Sequence, residues 1–214
     1  GGCLWAIAGH GGTVTEAAFS PTGRTLATAS LDGLARTWSL ESGLGLQVLS
    51  GHMRSCVAVC FSPDGSQVLT ASSDATARLW SVATGLCAHC LAGHGASVNQ
   101  ATFCPDGRLV ATSSLDKTAS VWSAETGERL HVLSGHGDFL FSVAFSLDGQ
   151  SLVTASKDCM ARVWSVSSGE CLQVLAGHTY SLISAAFAPD GLAVVTISYD
   201  YTARIWSAFT GQCV

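Results

Sequence analysis

The chain has 214 residues and a net charge of −5, and 48% of its residues are hydrophobic whereas 12% are charged. This composition can supply a large buried core, and no apolar run of about 18 residues predicts a membrane span. The ten Lys and Arg residues are scattered singly, so the sequence offers no basic stripe of the kind that binds nucleic acid.

The first predicted element is a short strand over residues 4–8, which ends at the dipeptide Gly9-His10. The same dipeptide returns every 42 residues, at Gly51-His52, Gly93-His94, Gly135-His136 and Gly177-His178. A fixed period without insertions predicts five tandem copies of one structural unit. The five units are residues 9–50, 51–92, 93–134, 135–176 and 177–214.

Each unit is predicted to contain four short strands, and the second unit shows the pattern. Its strands are expected over residues 56–62, 67–72, 77–81 and 87–91, where β-branched, aromatic and small residues predominate. Residues 63–65 and 83–85 supply the turn chemistry between them. Both faces of the second strand are apolar, as Val68 and Leu69 show, so each small sheet should be covered on both sides by its neighbours.

Several columns of the repeat hold the same residue in all five units. The invariant phenylalanines are Phe19, Phe61, Phe103, Phe145 and Phe187, and the invariant threonines are Thr28, Thr70, Thr112, Thr154 and Thr196. Serine, aspartate and tryptophan columns follow in the same order along each unit. Such constancy within one chain marks positions that build the unit, whereas variable columns are candidates for an outward-facing surface.

A four-stranded unit of this length, with Gly-His near one end and Trp near the other, resembles the WD40-repeat β-propeller family. The resemblance covers the whole chain and implies an all-β propeller of four-stranded antiparallel blades in one domain, residues 1–214. It also implies that residues 2–8 form the fourth strand of the last blade and so close the ring. One departure is constant: the residue after Trp, often Asp in the family, is Ser, as at Ser39 and Ser81.

The resemblance further implies a structural tetrad in each blade, a buried hydrogen-bonded chain of a loop His, a strand Ser, a turn Asp and the Trp indole. The matching residues are His10, Ser30, Asp32 and Trp38; His52, Ser72, Asp74 and Trp80; His94, Ser114, Asp116 and Trp122; His136, Ser156, Asp158 and Trp164; and His178, Ser198, Asp200 and Trp206. Because buried polar groups must be paired, these sets are expected to fix the geometry of each blade.

Ser, His and Asp brought together also describe a hydrolytic triad. We reject that interpretation, because the Ser would lie inside a strand in five copies and no Gly-x-Ser-x-Gly elbow occurs. The arginines two residues before Trp, such as Arg36 and Arg78, are interpreted as edge charges that pair with neighbouring carboxylates. No catalytic residue, metal ligand or cofactor site is predicted.

A binding surface is expected at the top face of the ring. The resemblance implies that this face is lined by the loop before the first strand of each blade and by the turn between its second and third strands. The candidate residues in these loops are Leu31, Val57, Leu115, Phe139, Phe141, Lys157, Tyr180, Ile183 and Tyr199. An apolar, aromatic patch rimmed by Lys157 has the composition of a protein-binding hot spot. The alternative that Phe141 and Ile183 turn inward and pack between blades stays open.

The expected function is a non-catalytic scaffold that binds partner proteins or peptides. The alternatives are a reader of a modified peptide at the central channel, and an excised or engineered propeller fragment without a native partner, which the gap-free period and the absence of an initial Met suggest. Three modes of closure stay open: a five-bladed ring, a segment of a longer propeller, and assembly between chains, since open sheet edges would aggregate.

The cysteines indicate the compartment. Nine cysteines are an odd number in a chain that is large and apolar enough to need no disulfides, so a reducing compartment, the cytoplasm or the nucleus, is expected. Cys87 and Cys90 form a C-x-x-C sequence, but residues three apart in a strand point to opposite faces and no second half of a zinc site exists. Neither nucleic acid nor a membrane is expected as a partner.

Overall fold

The computed structural model describes residues 2–214, and within that range it contains strands, turns and loops. Nineteen strands form five antiparallel sheets, and no helix in the described range is long and apolar enough to cross a membrane. The prediction of an all-β chain with five repeated sheets is therefore confirmed. The sheets are numbered here in chain order.

The first sheet consists of β1 (Val14–Phe19), β2 (Thr25–Ser30), β3 (Ala35–Ser39) and β4 (Gly45–Leu49). The second consists of β5 (Cys56–Phe61), β6 (Gln67–Ser72), β7 (Thr76–Ser81) and β8 (Cys87–Ala92). The third consists of β9 (Val98–Phe103), β10 (Leu109–Ser114), β11 (Ala119–Ser123) and β12 (Arg129–Leu133). The fourth consists of β13 (Leu140–Phe145), β14 (Ser151–Ser156), β15 (Met160–Ser165) and β16 (Cys171–Ala176). The fifth consists of β17 (Leu182–Phe187), β18 (Ala193–Ser198) and β19 (Ala203–Ser207).

Tight turns join consecutive strands, so each sheet is a simple meander. In the turn between β5 and β6, Gly65 has a φ of 75°, a left-handed conformation that costs a residue with a side chain more than it costs glycine. The Gly65 N–H donates to the Ser62 carbonyl at 2.9 Å, and the Ser62 N–H donates to the Gln67 carbonyl at 3.0 Å. The turn residues predicted between the strands therefore do form the turns.

The first strand of every sheet contains a β-bulge at the same phase of the repeat. In β5 the register shifts between Cys56 and Ala58, which leaves Val57 without a partner in β6. The equivalent residues in the other sheets are Thr15, Asn99, Phe141 and Ile183. Because a bulge bends its strand and redirects a side chain, these residues need not follow the alternation of the strand around them.

The hydrophobic core lies between neighbouring sheets and not within any one of them. In the interface between the second and third sheets, Leu69 and Leu79 of one sheet pack in the same cluster as Val98, Phe103 and Trp122 of the next. Three further clusters join the first to the second sheet, the third to the fourth, and the fourth to the fifth. Side-by-side stacking of the sheets is therefore what buries the apolar residues on both faces of the second strands.

The two ends of the stack differ from its interior. The fifth sheet has three strands. After the third of these, Cys213 pairs with Trp206 of β19 in an isolated antiparallel bridge. Residues 2–8 form no strand in this structure; Trp5 lies against Gly43 of the first sheet and its indole N–H donates to the Leu40 carbonyl at 3.0 Å. The first and fifth sheets do not share the packed interface that joins every other neighbouring pair in the described range. Closure of a ring by residues 2–8 therefore stays a prediction.

Candidate functional site

A buried chain of hydrogen bonds crosses each sheet, and the third sheet shows it clearly. The Trp122 indole N–H donates to the Thr112 hydroxyl oxygen at 2.9 Å, and that hydroxyl lies 2.8 Å from His94 Nε2. His94 Nδ1 lies 2.8 Å from an Asp116 carboxylate oxygen. The bonds form one consistent sequence of donors if the imidazole is neutral, because the threonine O–H donates to Nε2 and Nδ1–H donates to the carboxylate.

The same chain occurs in all five sheets, with every step between 2.7 and 3.0 Å. Its other copies are Trp38, Thr28, His10 and Asp32; Trp80, Thr70, His52 and Asp74; Trp164, Thr154, His136 and Asp158; and Trp206, Thr196, His178 and Asp200. Each chain ties the loop that carries the His to the second strand, the third strand and the turn between them.

The hydroxyl in the chain belongs to the threonine, so the prediction that the serine fills this place was wrong. Thr112 pairs across the sheet with Ser120, which puts it diagonally beside Trp122 on the same face. Ser114 lies two residues farther along the strand, beyond the reach of the indole. In every sheet the indole donates to the threonine and not to the predicted serine, which is Ser30, Ser72, Ser114, Ser156 or Ser198.

The serine has a different structural role. The Ser114 hydroxyl accepts a hydrogen bond from the Asp116 N–H at 3.0 Å and donates to the Ala96 carbonyl at 3.0 Å. Ser72, Ser156 and Ser198 make the corresponding pair of bonds in their sheets. The serine therefore joins the turn before the third strand to the loop that precedes the first strand.

Burial and hydrogen bonding set the charge states of these chains. Burial lowers the pKa of His52 and of His94, and the hydrogen bond and the charge of the partner aspartate offset this only in part. Burial alone would raise the pKa of Asp32, but bonds from the Leu34 and Gly11 N–H groups and from His10 outweigh it and bring this pKa to about 2. Near pH 7 the histidines of the second and third sheets, His52 and His94, are therefore neutral. Asp32 of the first sheet is ionised at this pH.

The arginines before the tryptophans form no ion pair with a carboxylate within residues 2–214, so the prediction of that pairing was wrong. In the second sheet the arginine packs on the tryptophan. The Arg78 guanidinium carbon lies 5.9 Å from the centre of the Trp80 ring. The third sheet has Ser120 at this position, and Arg129 of the fourth strand takes over the contact, 5.7 Å from the Trp122 ring. A cation over an aromatic face is an ordinary stabilising contact.

Four of the predicted binding residues lie together on the fourth and fifth sheets, and we call Phe139, Lys157, Tyr180 and Tyr199 the aromatic cluster. The Lys157 ammonium lies 4.9 Å from the centre of the Phe139 ring, and the Tyr180 and Tyr199 rings meet edge-to-face at 6.5 Å. The two pairs adjoin, because the Ser181 hydroxyl donates to the Lys157 carbonyl at 3.3 Å. Tyr180 and Tyr199 are 61% and 57% exposed, so the cluster faces solvent.

Asp138 also belongs to this surface, although the sequence did not single it out. Its carboxylate lies 3.5 Å from Lys157, and it accepts a hydrogen bond from the Phe139 N–H at 2.9 Å. The Phe139 N–H, followed by Lys157, keeps the pKa of Asp138 below its ordinary value. Asp138 could have been found from its place in the same loop as Phe139, since the loop position alone predicts exposure.

The other predicted binding residues lie elsewhere. Leu31 and Leu115 are in the turns of the first and third sheets, and Leu31 is exposed. Val57, Phe141 and Ile183 are the bulge residues of the first strands. The equivalent bulge residues make bonds to the next sheet: the Thr15 hydroxyl donates to the Cys56 carbonyl at 2.9 Å and the Asn99 amide to the Leu140 carbonyl at 2.8 Å. In the first and third sheets this position therefore lies beside the next sheet. Val57 is half-buried against the core between the second and third sheets, whereas Ile183 of the fifth sheet is 40% exposed.

A comparison with protein families identifies the architecture. The family model described as "WD domain, G-beta repeat" matches residues 1–39, 44–81, 85–123, 127–165 and 169–207. The chain belongs to the WD40-repeat family. No curated protein matched the chain.

Membership of this family bears on function in general terms. WD40 repeats generally mediate interactions between proteins, and proteins built from them are typically not catalysts. The buried chains of hydrogen bonds agree with a structural use of Thr, His and Asp. What the family does not specify is the part of this chain that contacts a partner.

Proposed function

We propose that this protein is a non-catalytic scaffold that binds a partner protein or peptide through the aromatic cluster on the fourth and fifth sheets. The observation that supports it is the exposure of two tyrosines beside a lysine that lies over Phe139. Tyrosine side chains offer a large contact area and a hydroxyl with little conformational freedom to lose, which is why they are common in binding hot spots.

The internal hydrogen bonds support the absence of catalysis. A hydrolytic nucleophile needs a hydroxyl that is open to substrate, yet Thr112 is fully buried and holds both Trp122 and His94. All five hydroxyls of this kind are in the same situation. The proposal accordingly requires no catalytic residue and no cofactor.

We also propose that the protein works in a reducing compartment such as the cytoplasm or the nucleus. Its nine cysteines are all free thiols, and several of them, including Cys87, Cys171 and Cys213, are exposed. Exposed free thiols are compatible with a reducing environment and are liable to oxidation outside one.

Binding through the aromatic cluster is tested with the double substitution Phe139→Ala and Tyr199→Ala and with the single substitution Leu147→Ala as a control. Leu147 is exposed but lies in the turn between β13 and β14, at the opposite end of the fourth sheet. Cross-linking capture from cell extract, compared among the three proteins, selects partners, and titration calorimetry with each purified partner measures its affinity. We expect the double substitution to weaken binding by tenfold or more, on the order of the loss from removing hot-spot side chains.

The Leu147→Ala control should bind the partner with unchanged affinity. The double variant and the control should both unfold at the same temperature as the wild type. A partner that binds the double variant as tightly as the wild type would show that the surface used is another one. Loss of folding in the double variant would instead show that these side chains belong to the core.

A further inference from the structure

Both lysines of the chain contact one loop, the loop that joins β12 to β13. Lys117 is in the turn between β10 and β11, and its ammonium donates to the Gly137 carbonyl at 2.9 Å. Lys157 is in the turn between β14 and β15, and its ammonium lies 3.5 Å from the Asp138 carboxylate and 4.9 Å from the centre of the Phe139 ring. One ammonium from the third sheet and one from the fourth thus meet at this loop.

The two ammonium groups have more hydrogen-bond donors than the loop uses, because each has three N–H groups. Lys117 gives one of them to the Gly137 carbonyl, and Lys157 faces one carboxylate and one aromatic ring. Both lysine side chains are exposed. After the Phe139 N–H, the charges of Lys157 and Lys117 lower the pKa of Asp138, so both lysines act on the same carboxylate. Donors of both therefore remain open to a further acceptor.

The aspartates that precede the lysines in these turns are bonded inside the sheets. The side chains of Asp116 and Asp158 are only 18% and 12% exposed. Asp116 lies 2.8 Å from His94 Nδ1, and Asp158 lies 2.8 Å from His136 Nδ1. Each of them also accepts a backbone N–H from the loop that carries its histidine. The exposed charges at the loop are therefore two lysines and the single carboxylate of Asp138.

Most other carboxylates lie at the opposite end of the sheets. Apart from the five aspartates of the buried chains, Asp138 and Glu16 of β1, every carboxylate side chain lies in a turn after a first strand or after a third strand. These residues are Glu41, Asp64, Asp106, Glu125, Glu128, Asp148, Glu170 and Asp190. Because consecutive strands are antiparallel, the lysines are at the other end. An acidic partner is therefore attracted to the lysine end and repelled by the opposite end.

The kind of cation and its neighbour favour carboxylates on a peptide. Arginine presents a planar fork that matches a phosphate in two places, whereas lysine is a point charge that a single carboxylate satisfies. Nucleic acid is held by a row of cations along its phosphates, and this surface has two lysines. Phe139 lies directly beside Lys157 and offers an apolar contact next to the charge. A segment with acidic residues beside a large apolar side chain complements both features.

We propose that the partner bound at the aromatic cluster is an acidic peptide segment. Its Asp or Glu residues bind Lys117 and Lys157, and an adjacent apolar side chain packs on Phe139. This inference rests on the proposed function, since it names the chemistry of the partner at the same surface. Asp138 occupies Lys157 in the free protein, so it competes with the carboxylates of the partner.

The test is fluorescence anisotropy of the whole chain with short labelled peptides. The acidic probe has Phe at its centre and Asp or Glu at every other position, and the neutral probe has Asn or Gln at those positions. The acidic probe should bind about three- to tenfold more tightly than the neutral probe, as two exposed ion pairs predict. The difference should shrink as the salt concentration rises, because salt screens exposed charges.

Two double variants and one single variant locate the binding. Lys117→Gln with Lys157→Gln should bind the acidic probe no more tightly than the neutral one. Arg24→Gln with Arg108→Gln removes the same charge from exposed residues at the opposite end of the sheets and should bind like the wild type. Asp138→Asn should bind the acidic probe about two- to fivefold more tightly than the wild type, because Lys157 loses its internal partner. Thermal unfolding confirms that the variants are folded.

The proposal is overturned if the acidic probe binds no better than the neutral one, or if the lysine variant keeps the preference. It is also overturned if a phosphoserine peptide or a single-stranded oligonucleotide of equal charge binds more tightly than the acidic probe. The proposed function is judged separately. A partner that is lost by the variant with Phe139→Ala and Tyr199→Ala but retained by the lysine variant would leave the aromatic cluster as the binding surface and exclude an acidic partner.

Discussion

At the scale of single residues, one threonine hydroxyl in each sheet is bonded to two other side chains. Thr112 accepts from Trp122 and lies within hydrogen-bond distance of His94, and the threonine and the indole are buried. Loss of the hydroxyl would leave a buried N–H and a buried ring nitrogen without partners, which costs more than one ordinary hydrogen bond contributes. The threonines therefore should be among the polar residues on which stability depends most.

We predict that Thr112→Val lowers the free energy of unfolding by about 1–3 kcal/mol, since two buried groups lose a partner. Thr37→Val is the matched control, because the Thr37 hydroxyl is fully buried and has no hydrogen-bond partner, and the other repeats hold aliphatic residues at this phase. The control should be neutral or stabilising by up to about 1 kcal/mol. Urea unfolding measures both; equal losses in the two variants would contradict the role assigned to Thr112.

We predict that stability falls as the pH falls, in two ranges. Folding lowers the pKa of His52 and His94, so these histidines are protonated at a higher pH in the unfolded chain than in the folded protein. Protonation therefore favours the unfolded chain, and stability declines as the pH falls below about 6.5. The pKa of Asp32 and Asp158 is lowered from 3.8 to about 2, so their contribution is present above 3.8 and is lost as the pH falls towards 2. Melting temperatures across this range measure both declines.

Asp158→Asn is the control for the acidic range. This variant should be less stable at neutral pH, where it loses a charged acceptor for His136 and the Gly137 N–H, and its stability should change less between pH 4 and pH 2. An unchanged decline in the variant would mean that other groups cause the acid sensitivity.

At the scale of elements, the turn between the second and third strands holds one residue in the left-handed region. The first sheet has Gly33 there with a φ of 83°, whereas the other sheets have Ala75, Lys117, Cys159 and Tyr201 with φ between 66° and 74°. A side chain in this region costs about 1–2 kcal/mol, and glycine loses about 0.5–1 kcal/mol of backbone freedom relative to alanine. The turn of the first sheet is thus the least strained of the five.

We predict that Ala75→Gly raises the free energy of unfolding by up to about 1 kcal/mol, as relief of strain exceeds the cost in backbone freedom. The reverse change, Gly33→Ala, should lower it, because a Cβ there would also lie 3.2 Å from the Arg54 carbonyl oxygen. Denaturant unfolding of the pair checks the signs. Changes of the same sign in both variants would show that the turn conformation is not the cause.

The repeat made most of the elements predictable from the sequence. In the second unit the predicted strands 56–62, 67–72, 77–81 and 87–91 differ by at most one residue at an end from β5, β6, β7 and β8. The place of each bulge was not predictable. A bulge depends on how two strands pair, and the pattern of apolar and polar residues along a single strand does not reveal it. For that reason the sequence left open whether Phe141 and Ile183 face outward or pack between sheets.

The site was predictable only in part. Threonine and serine are both invariant in all five repeats, so repetition alone cannot decide which of them meets the tryptophan, and the cross-strand register does. The aromatic cluster follows from loop position and composition, and the structure brings Phe139 to Lys157 and Tyr180 to Tyr199. Whether the ring closes depends on the angle between neighbouring sheets. Side-chain packing between the sheets determines this angle, and the repeated residue pattern does not predict it.

At the scale of the whole molecule, residues 2–214 form a row of sheets in which each sheet packs on its neighbours along the sequence, and no packed interface joins the first sheet to the fifth. In such arrays stability is the sum of the units and of their interfaces, so units at the ends have one stabilising interface and units inside have two. Local opening is accordingly expected to begin at the first and fifth sheets.

Hydrogen–deuterium exchange, read by mass spectrometry, tests this arrangement most directly. We predict the strongest protection in β6, β10 and β14, the central strands of the three interior sheets, and faster exchange in β1, β17 and β18 at the two ends. Equal protection of β1, β18 and the interior strands would contradict an open stack and show that the first and fifth sheets are as well covered as the interior ones.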